Sequence, residues 1–296
     1  MQHTPTCKLA MLAAAMALAM VASGCAVPES ARGADSLFAV FAPTSPAQAA
    51  QWATDEYNPD LQYRGTILLA NASFGGEPPY LELYLDYIDH EDGNVRAAAA
   101  RGLANHGSPE HALLLAERLG YTEVVDRQFR RTDDDEFVRQ ECARGLQRLH
   151  NPEAVDTLLL AMREPDPTDP RLLAEPNAEV RAAAAHALGQ YAEFRVVESL
   201  IGYGLADASL TVNRNAREAL RTLTGQDLGY DRAAWRAWFG SEENEAPFAA
   251  RRAYIYPVFR RDRKLIEYLP FVPQPPNEAP STPVGLSTAE LLSESN

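Results

Sequence analysis

Much that would announce a chemistry is missing from this sequence. Cysteine occurs three times, at Cys7, Cys25 and Cys142, and no Cys-x-x-Cys pair is present to hold zinc or run a dithiol reaction. Basic charge is short: 27 Lys and Arg stand against 41 Asp and Glu, a net of −14. A nucleic-acid partner needs a basic footprint to displace counterions from its phosphates, so this balance excludes nucleic acid as a main ligand. Beyond the N-terminus no apolar run reaches the length of a membrane span. No phosphate-binding glycine loop, nucleophile elbow or His-Glu-x-x-His pattern occurs. Hydrophobic content of 46% and charge of 23% are those of an ordinary globular protein.

The first 24 residues read as a separate object. Lys8 supplies a positive start and Leu9 to Ala22 is an uncharged apolar run, too short for a comfortable span but right for the core of a signal peptide. Its end, Ala22-Ser23-Gly24-Cys25, resembles the bacterial lipobox. Alanine stands in the first position, where leucine is commoner. The resemblance implies that the Cys25 thiol carries a diacylglycerol and that cleavage occurs just before it. Two or three acyl chains, at about 0.8 kcal/mol per buried methylene, anchor a protein stably where one would not. The expected address is therefore the bacterial cell envelope. Ala26 stands where aspartate marks inner-membrane retention in some bacteria, which favours the outer membrane. The folded part would lie in the periplasm or at the cell surface. Cys7 leaves with the signal and Cys25 becomes a thioether, so Cys142 has no disulfide partner. Residues 25–50, small, polar and Pro-containing, read as a flexible tether.

A pattern then recurs. Val180-Arg181 has counterparts at Tyr63-Arg64, Val95-Arg96, Val138-Arg139 and Val212-Asn213, spaced by 32, 43, 42 and 32 residues. Four residues before each Arg or Asn stand Asp60, Asp92, Asp135, Asn177 and Ser209. These residue types cap helix N-termini by accepting from the unpaired first-turn N–H groups. Val180, Ala184 and Leu188 share one helical face, as do Val95, Ala99 and Leu103, Val138, Cys142 and Leu146, and Val212, Ala216 and Leu220. A second apolar helix follows each first one. Ser108-Pro109 and Asn151-Pro152 place a capping residue before a proline in the first turn. His186 falls where the other copies have Arg101, Arg144 and Glu218, which puts it on a solvated polar face.

This unit resembles the HEAT repeat over about residues 60–239, in the short alanine-rich form also found in phycobilisome lyases. The resemblance implies an all-α fold, an α-solenoid of about five helix pairs over residues 51–240. It also implies an Asp/Arg ladder between successive repeats, here Asp60/Arg64, Asp92/Arg96, Asp135/Arg139 and Asn177/Arg181. Residues 241–269 would cap the last hydrophobic face. Their basic side chains, interleaved with Tyr254, Tyr256, Phe259 and Tyr268, are also compatible with docking to an anionic partner. In the cap reading these aromatics pack on the helix of Trp235 and Trp238. The Pro-rich residues 270–296 are expected to be disordered.

Two repeats carry about ten extra residues, both between a second helix and the next first helix, hence on one edge of the solenoid. That edge is where a repeat protein's binding loops tend to lie. Arg127, Phe129, Arg130 and Arg131 in one insert and Arg171 in the other are the candidate contacts. The plainer reading makes both inserts solvated loops.

No catalytic set and no cofactor follow from the residues. Deoxyhypusine hydroxylase is built of similar repeats and uses several His-Glu pairs for a di-iron centre; this chain has one, His90-Glu91. The function expected is a lipid-anchored envelope scaffold for a protein or peptide partner, with no small-molecule substrate and no metal. The alternative is a lyase- or hydroxylase-type enzyme or accessory.

Overall fold

The computed structural model describes residues 45–125, 128–166, 168, 173–242, 244–259 and 278–286. The signal peptide, Cys25, Arg127, Arg171, Tyr268 and residues 260–277 and 287–296 lie outside the described residues.

A leading helix, α1 (Pro46–Ala53), precedes five helix pairs among the described residues. The first helices are α2 (Pro59–Ala70), α4 (Gly93–His106), α6 (Glu136–Gly145), α8 (Ala178–Ala187) and α10 (Leu210–Thr224). The second helices are α3 (Pro78–Tyr87), α5 (His111–Leu119), α7 (Val155–Ala161), α9 (Phe194–Gly202) and α11 (Arg232–Phe239). Each first helix packs on the next, and one continuous apolar core runs through the stack. This is the all-α solenoid that the resemblance implies.

The capping pattern explains most of the boundaries. Asp92, Asp135 and Asn177 each sit in extended backbone and accept from first-turn N–H groups. Ser209 holds the same place without a side-chain cap bond. Asp231 caps α11 and Asn151 caps the turn of 3-10 helix, Pro152–Ala154, that leads into α7. Ser108 does not cap α5, which starts at His111; its hydroxyl contacts Glu110 and His111 instead. The four well-preserved Val/Ala/Leu faces are all buried, with Cys142 in the middle slot of α6.

The first repeat departs from the sequence reading. Asn58, not Asp60, caps α2, and Pro59 opens it. Counted from that cap, Leu61, Gly65 and Leu69 take the three apolar slots and Gln62 takes the arginine slot. Arg64 is exposed, two residues out of register. The tether also ends earlier than residue 50. α1 starts at Pro46 because Gly65 lets it approach: a Cβ there would lie 2.1 Å from the backbone nitrogen of Ala53.

The C-terminal part differs as well. Phe248 closes on Phe194, which meets Phe239 of the last helix. The chain then turns back. Arg252 N–H donates to the Thr222 carbonyl (2.8 Å), and Tyr254 and Tyr256 are buried against the stack. Strand β3 (Tyr256–Phe259) pairs antiparallel with β4 (Glu278–Ser281), and Val284 exchanges backbone hydrogen bonds with Arg148 and His150. Residues 278–286, expected to be disordered, are thus docked by hydrogen bonding to carbonyl and N–H groups left free beyond α6.

Candidate interaction edge

The repeat's cap segment positions a second, deeper feature. Each arginine four residues after a cap reaches forward to the next repeat, not to its own cap residue. Arg96 makes a two-pronged pair with Asp133 (2.7 and 2.9 Å), Arg139 with Glu175 (2.9 and 3.1 Å) and Arg181 with Asp207 (2.6 and 3.0 Å). The same carboxylates accept from the N–H of Asp135, Asn177 and Ser209, two residues on. The remaining guanidinium nitrogen of each arginine donates to two carbonyls before its own helix, such as Asp133 and Asp134 for Arg139. The ladder between successive repeats is present, but the acids expected in it are corrected: Asp92, Asp135 and Asn177 cap their helices, and the acceptors are Asp133, Glu175 and Asp207, each two residues before the next repeat's cap. An acid six residues before Arg139, Arg181 and Asn213 is the signal in the sequence. Asp60 and Arg64 take no part. The first repeat has Gln62 in the slot, its amide 3.5 Å from Tyr87 Oη, and His90 where an acid would be. His90 Nδ1 accepts from Asp92 N–H (3.0 Å).

Arginine suits this role because its planar fork satisfies a carboxylate and two carbonyls at once. Arg139 and Glu175 are only 3% and 1% exposed, so the pair is deeply desolvated. Lysine is nearly absent, with Lys8 and Lys264 the two in the chain.

The first insert folds as a β-hairpin, β1 (Tyr121–Val125) and β2 (Gln128–Arg131), with Tyr121 opposite Arg131. Both side chains hold the second insert. Tyr121 Oη donates to the Ala174 carbonyl (2.6 Å), and Arg131 donates to that carbonyl and to Glu175 (2.5 Å). Burial raises the Tyr121 phenol. The two inserts therefore share one edge and brace each other. Arg131 is not available as basic surface, because Glu175 neutralises it. Phe129 and Arg130 are exposed.

Behind the second insert lies a cavity of about 310 Å³, between Arg163–Asp166, Leu173, Ala174 and Tyr203. The Arg163 guanidinium lies 5.0 Å from the Tyr203 ring centre, and its buried Nε has no hydrogen-bond partner. Glu164 is occupied by the Ala208 N–H (3.2 Å) and by Arg181 (3.9 Å). Along the same edge, Tyr57, Phe129, Phe137, Tyr203 and Leu210 are exposed. Arg64, Arg130 and Arg163 have no carboxylate partner among the described residues.

His186 is only partly solvated. Its Nδ1 is 2.7 Å from Tyr254 Oη, and burial lowers its pKa to about 4. The strap that covers it comes from 68 residues downstream, beyond the reach of local patterning. Tyr256 likewise lies under Arg148 of the α6 exit, not on the Trp235/Trp238 helix. Cys142 is a buried free thiol, pushed up by desolvation. No group of three or more His, Cys, Asp or Glu among the described residues could hold a metal ion. No described helix is long and apolar enough to cross a membrane.

Residues 127–221 match the family model of HEAT repeats, and the helix pairs before and after them continue the same stack. Among solved structures the chain is similar to the complex of CpcE and CpcF of phycocyanin lyase from Nostoc sp. PCC7120. That match has 20% identity and a TM-score of 0.42, over 59% of this chain and 96% of that one. It is also similar to two engineered proteins. One has 19% identity and a TM-score of 0.43, over 68% of this chain and 89% of that one; the other has 21% and 0.40, over 59% and 77%. None of the curated proteins matches the chain.

Proposed function

We propose that this protein is a scaffold of the bacterial cell envelope, lipid-anchored through Cys25, that docks a protein partner along its insert edge. The carrying observation is the composition of that edge. Exposed aromatics, and arginines without carboxylate partners among the described residues, are of the types that dominate the energetics of protein interfaces. The ladder and the hairpin hold them on a rigid support, so little ordering entropy is lost on docking. A partner that brings carboxylates and an apolar side chain complements Arg130, Arg163, Phe129 and Tyr203.

Site-resolved photocross-linking in intact envelopes tests this. A cross-linking residue at Phe129 or Tyr203 should give a discrete adduct, and one at Leu113, exposed on a second helix, should not. Adducts of equal yield at all three positions, or none at all, would overturn the edge assignment. Bound pigment or iron in the purified protein would favour the enzyme reading instead. The anchor has its own test: Cys25→Ala should abolish acyl labelling and leave the signal uncleaved, and unchanged processing would refute it.

A further inference from the structure

The C-terminal strap uses the stack as a ligand would. It crosses the exits of α10, α8 and α6 in that order, against chain direction. Arg252 takes the Thr222 carbonyl through its N–H (2.8 Å) and the Gly225 carbonyl through its guanidinium (2.9 Å). Arg251 donates to the Gln190 carbonyl (2.7 Å). Tyr254 and Tyr256 alternate inward, and Ile255 between them is exposed. These are carbonyls that helix ends leave unpaired, recruited by an extended segment whose alternate side chains are buried.

We propose that residues 251–256 are an acid-released strap, the chain's own occupant of a peptide-binding face, with the His186–Tyr254 contact as its latch. The seat of Tyr254 is tight. A Cβ on Gly189 would lie 3.3 Å from its ring, and its ring centre is 5.2 Å from that of His186. His186 is half-buried with the strap in place, and the Tyr254 ring takes part of the imidazole out of water, so a charge on it opposes closure through lost hydration. The groups around it do not cancel that cost. From α10, Glu218 pulls the pKa upward but is outweighed by burial. On α6 the equivalent slot holds Arg144, turned to Glu141 at 3.2 Å. The strap itself presents only the neutral phenol of Tyr254, and Gln190, one turn on, is neutral.

The direction follows from the two states. With the strap closed, His186 titrates at about 4; with it open, near its ordinary 6.5. The closed form is therefore fully favoured above pH 6.5 and loses ground as pH falls, until the closed form also protonates near 4. Between pH 7 and pH 5 the closing equilibrium should weaken roughly 20-fold, at tenfold per unit of effective shift. Opening frees the Gln190, Thr222 and Gly225 carbonyls and a ring-sized seat, which suits an extended peptide with aromatic residues two apart.

Hydrogen exchange on the full chain, corrected for intrinsic rates, tests the latch. Residues 251–256 should lose roughly 20-fold in protection from pH 7 to pH 5, while residues 178–185 hold theirs. His186→Gln, which gains no charge, should abolish the pH dependence. Unchanged strap protection in the natural protein, or the same loss in His186→Gln, would overturn the proposal. Should that variant release the strap outright, an NMR titration of His186 decides. A midpoint near 4 that moves toward 6.5 in Tyr254→Gly supports the latch; a midpoint near 6.5 in the natural protein refutes it.

Discussion

Glu175→Ala should be far more damaging than an ion-pair deletion usually is. The carboxylate accepts two bonds from Arg139, one from Arg131 and one from the Asn177 N–H. Truncation leaves the Arg139 guanidinium nearly without water and without a counter-charge. Breaking a buried pair from one side costs about 3–5 kcal/mol. It also removes one of the hairpin's anchors on the second insert, the Arg131 pair. Asp156→Ala is the matched control, because Asp156 pairs with Arg195 where both side chains are at least half exposed; such pairs contribute about 0–1 kcal/mol. Urea unfolding followed by far-UV circular dichroism should separate the two by at least about 2 kcal/mol. The difference should persist in high salt, since a buried pair is weakly screened. Comparable losses in the two variants would refute the claim that buried rungs hold the repeats in register.

Two further outcomes follow from packing. Gly102→Val should destabilise by at least about 1–3 kcal/mol, because even a Cβ at Gly102 would lie 2.6 Å from the Tyr84 ring; a midpoint unchanged in denaturant would contradict that packing. Cys142 should resist iodoacetamide in the native protein and react once urea unfolds it, since burial both shields the thiol and holds it protonated. Native labelling as fast as that of a free thiol would show that the core of α6 opens readily.

Features set by neighbouring residues are legible in the sequence. Cap residues, alanine runs and the Val/Ala/Leu faces act within one or two turns, so four of the five repeats were legible with their register. The first was misaligned because Tyr63-Arg64 imitates the Val-Arg pair, while Asn58 and Pro59 set the actual start. The ladder's arginines were found but given the wrong acids. Asp133, Glu175 and Asp207 sit two residues before the cap position, and a reading confined to one repeat cannot tell which carboxylate a seven-atom side chain will reach. The inserts' shared edge was expected. That Arg131 is spent on Glu175, while Phe129, Arg130 and Arg163 are not, required coordinates.

The sequence by itself determined the repeat, its period and the class of fold, because helix propensity, capping and apolar spacing are properties of neighbouring residues. The forward pairing of the ladder, the bracing of one insert by the other and the covering of His186 by Tyr254 join residues 26 to 68 positions apart. Those contacts depend on how one repeat stacks on the next and where the chain's end returns, and only the tertiary structure decided them.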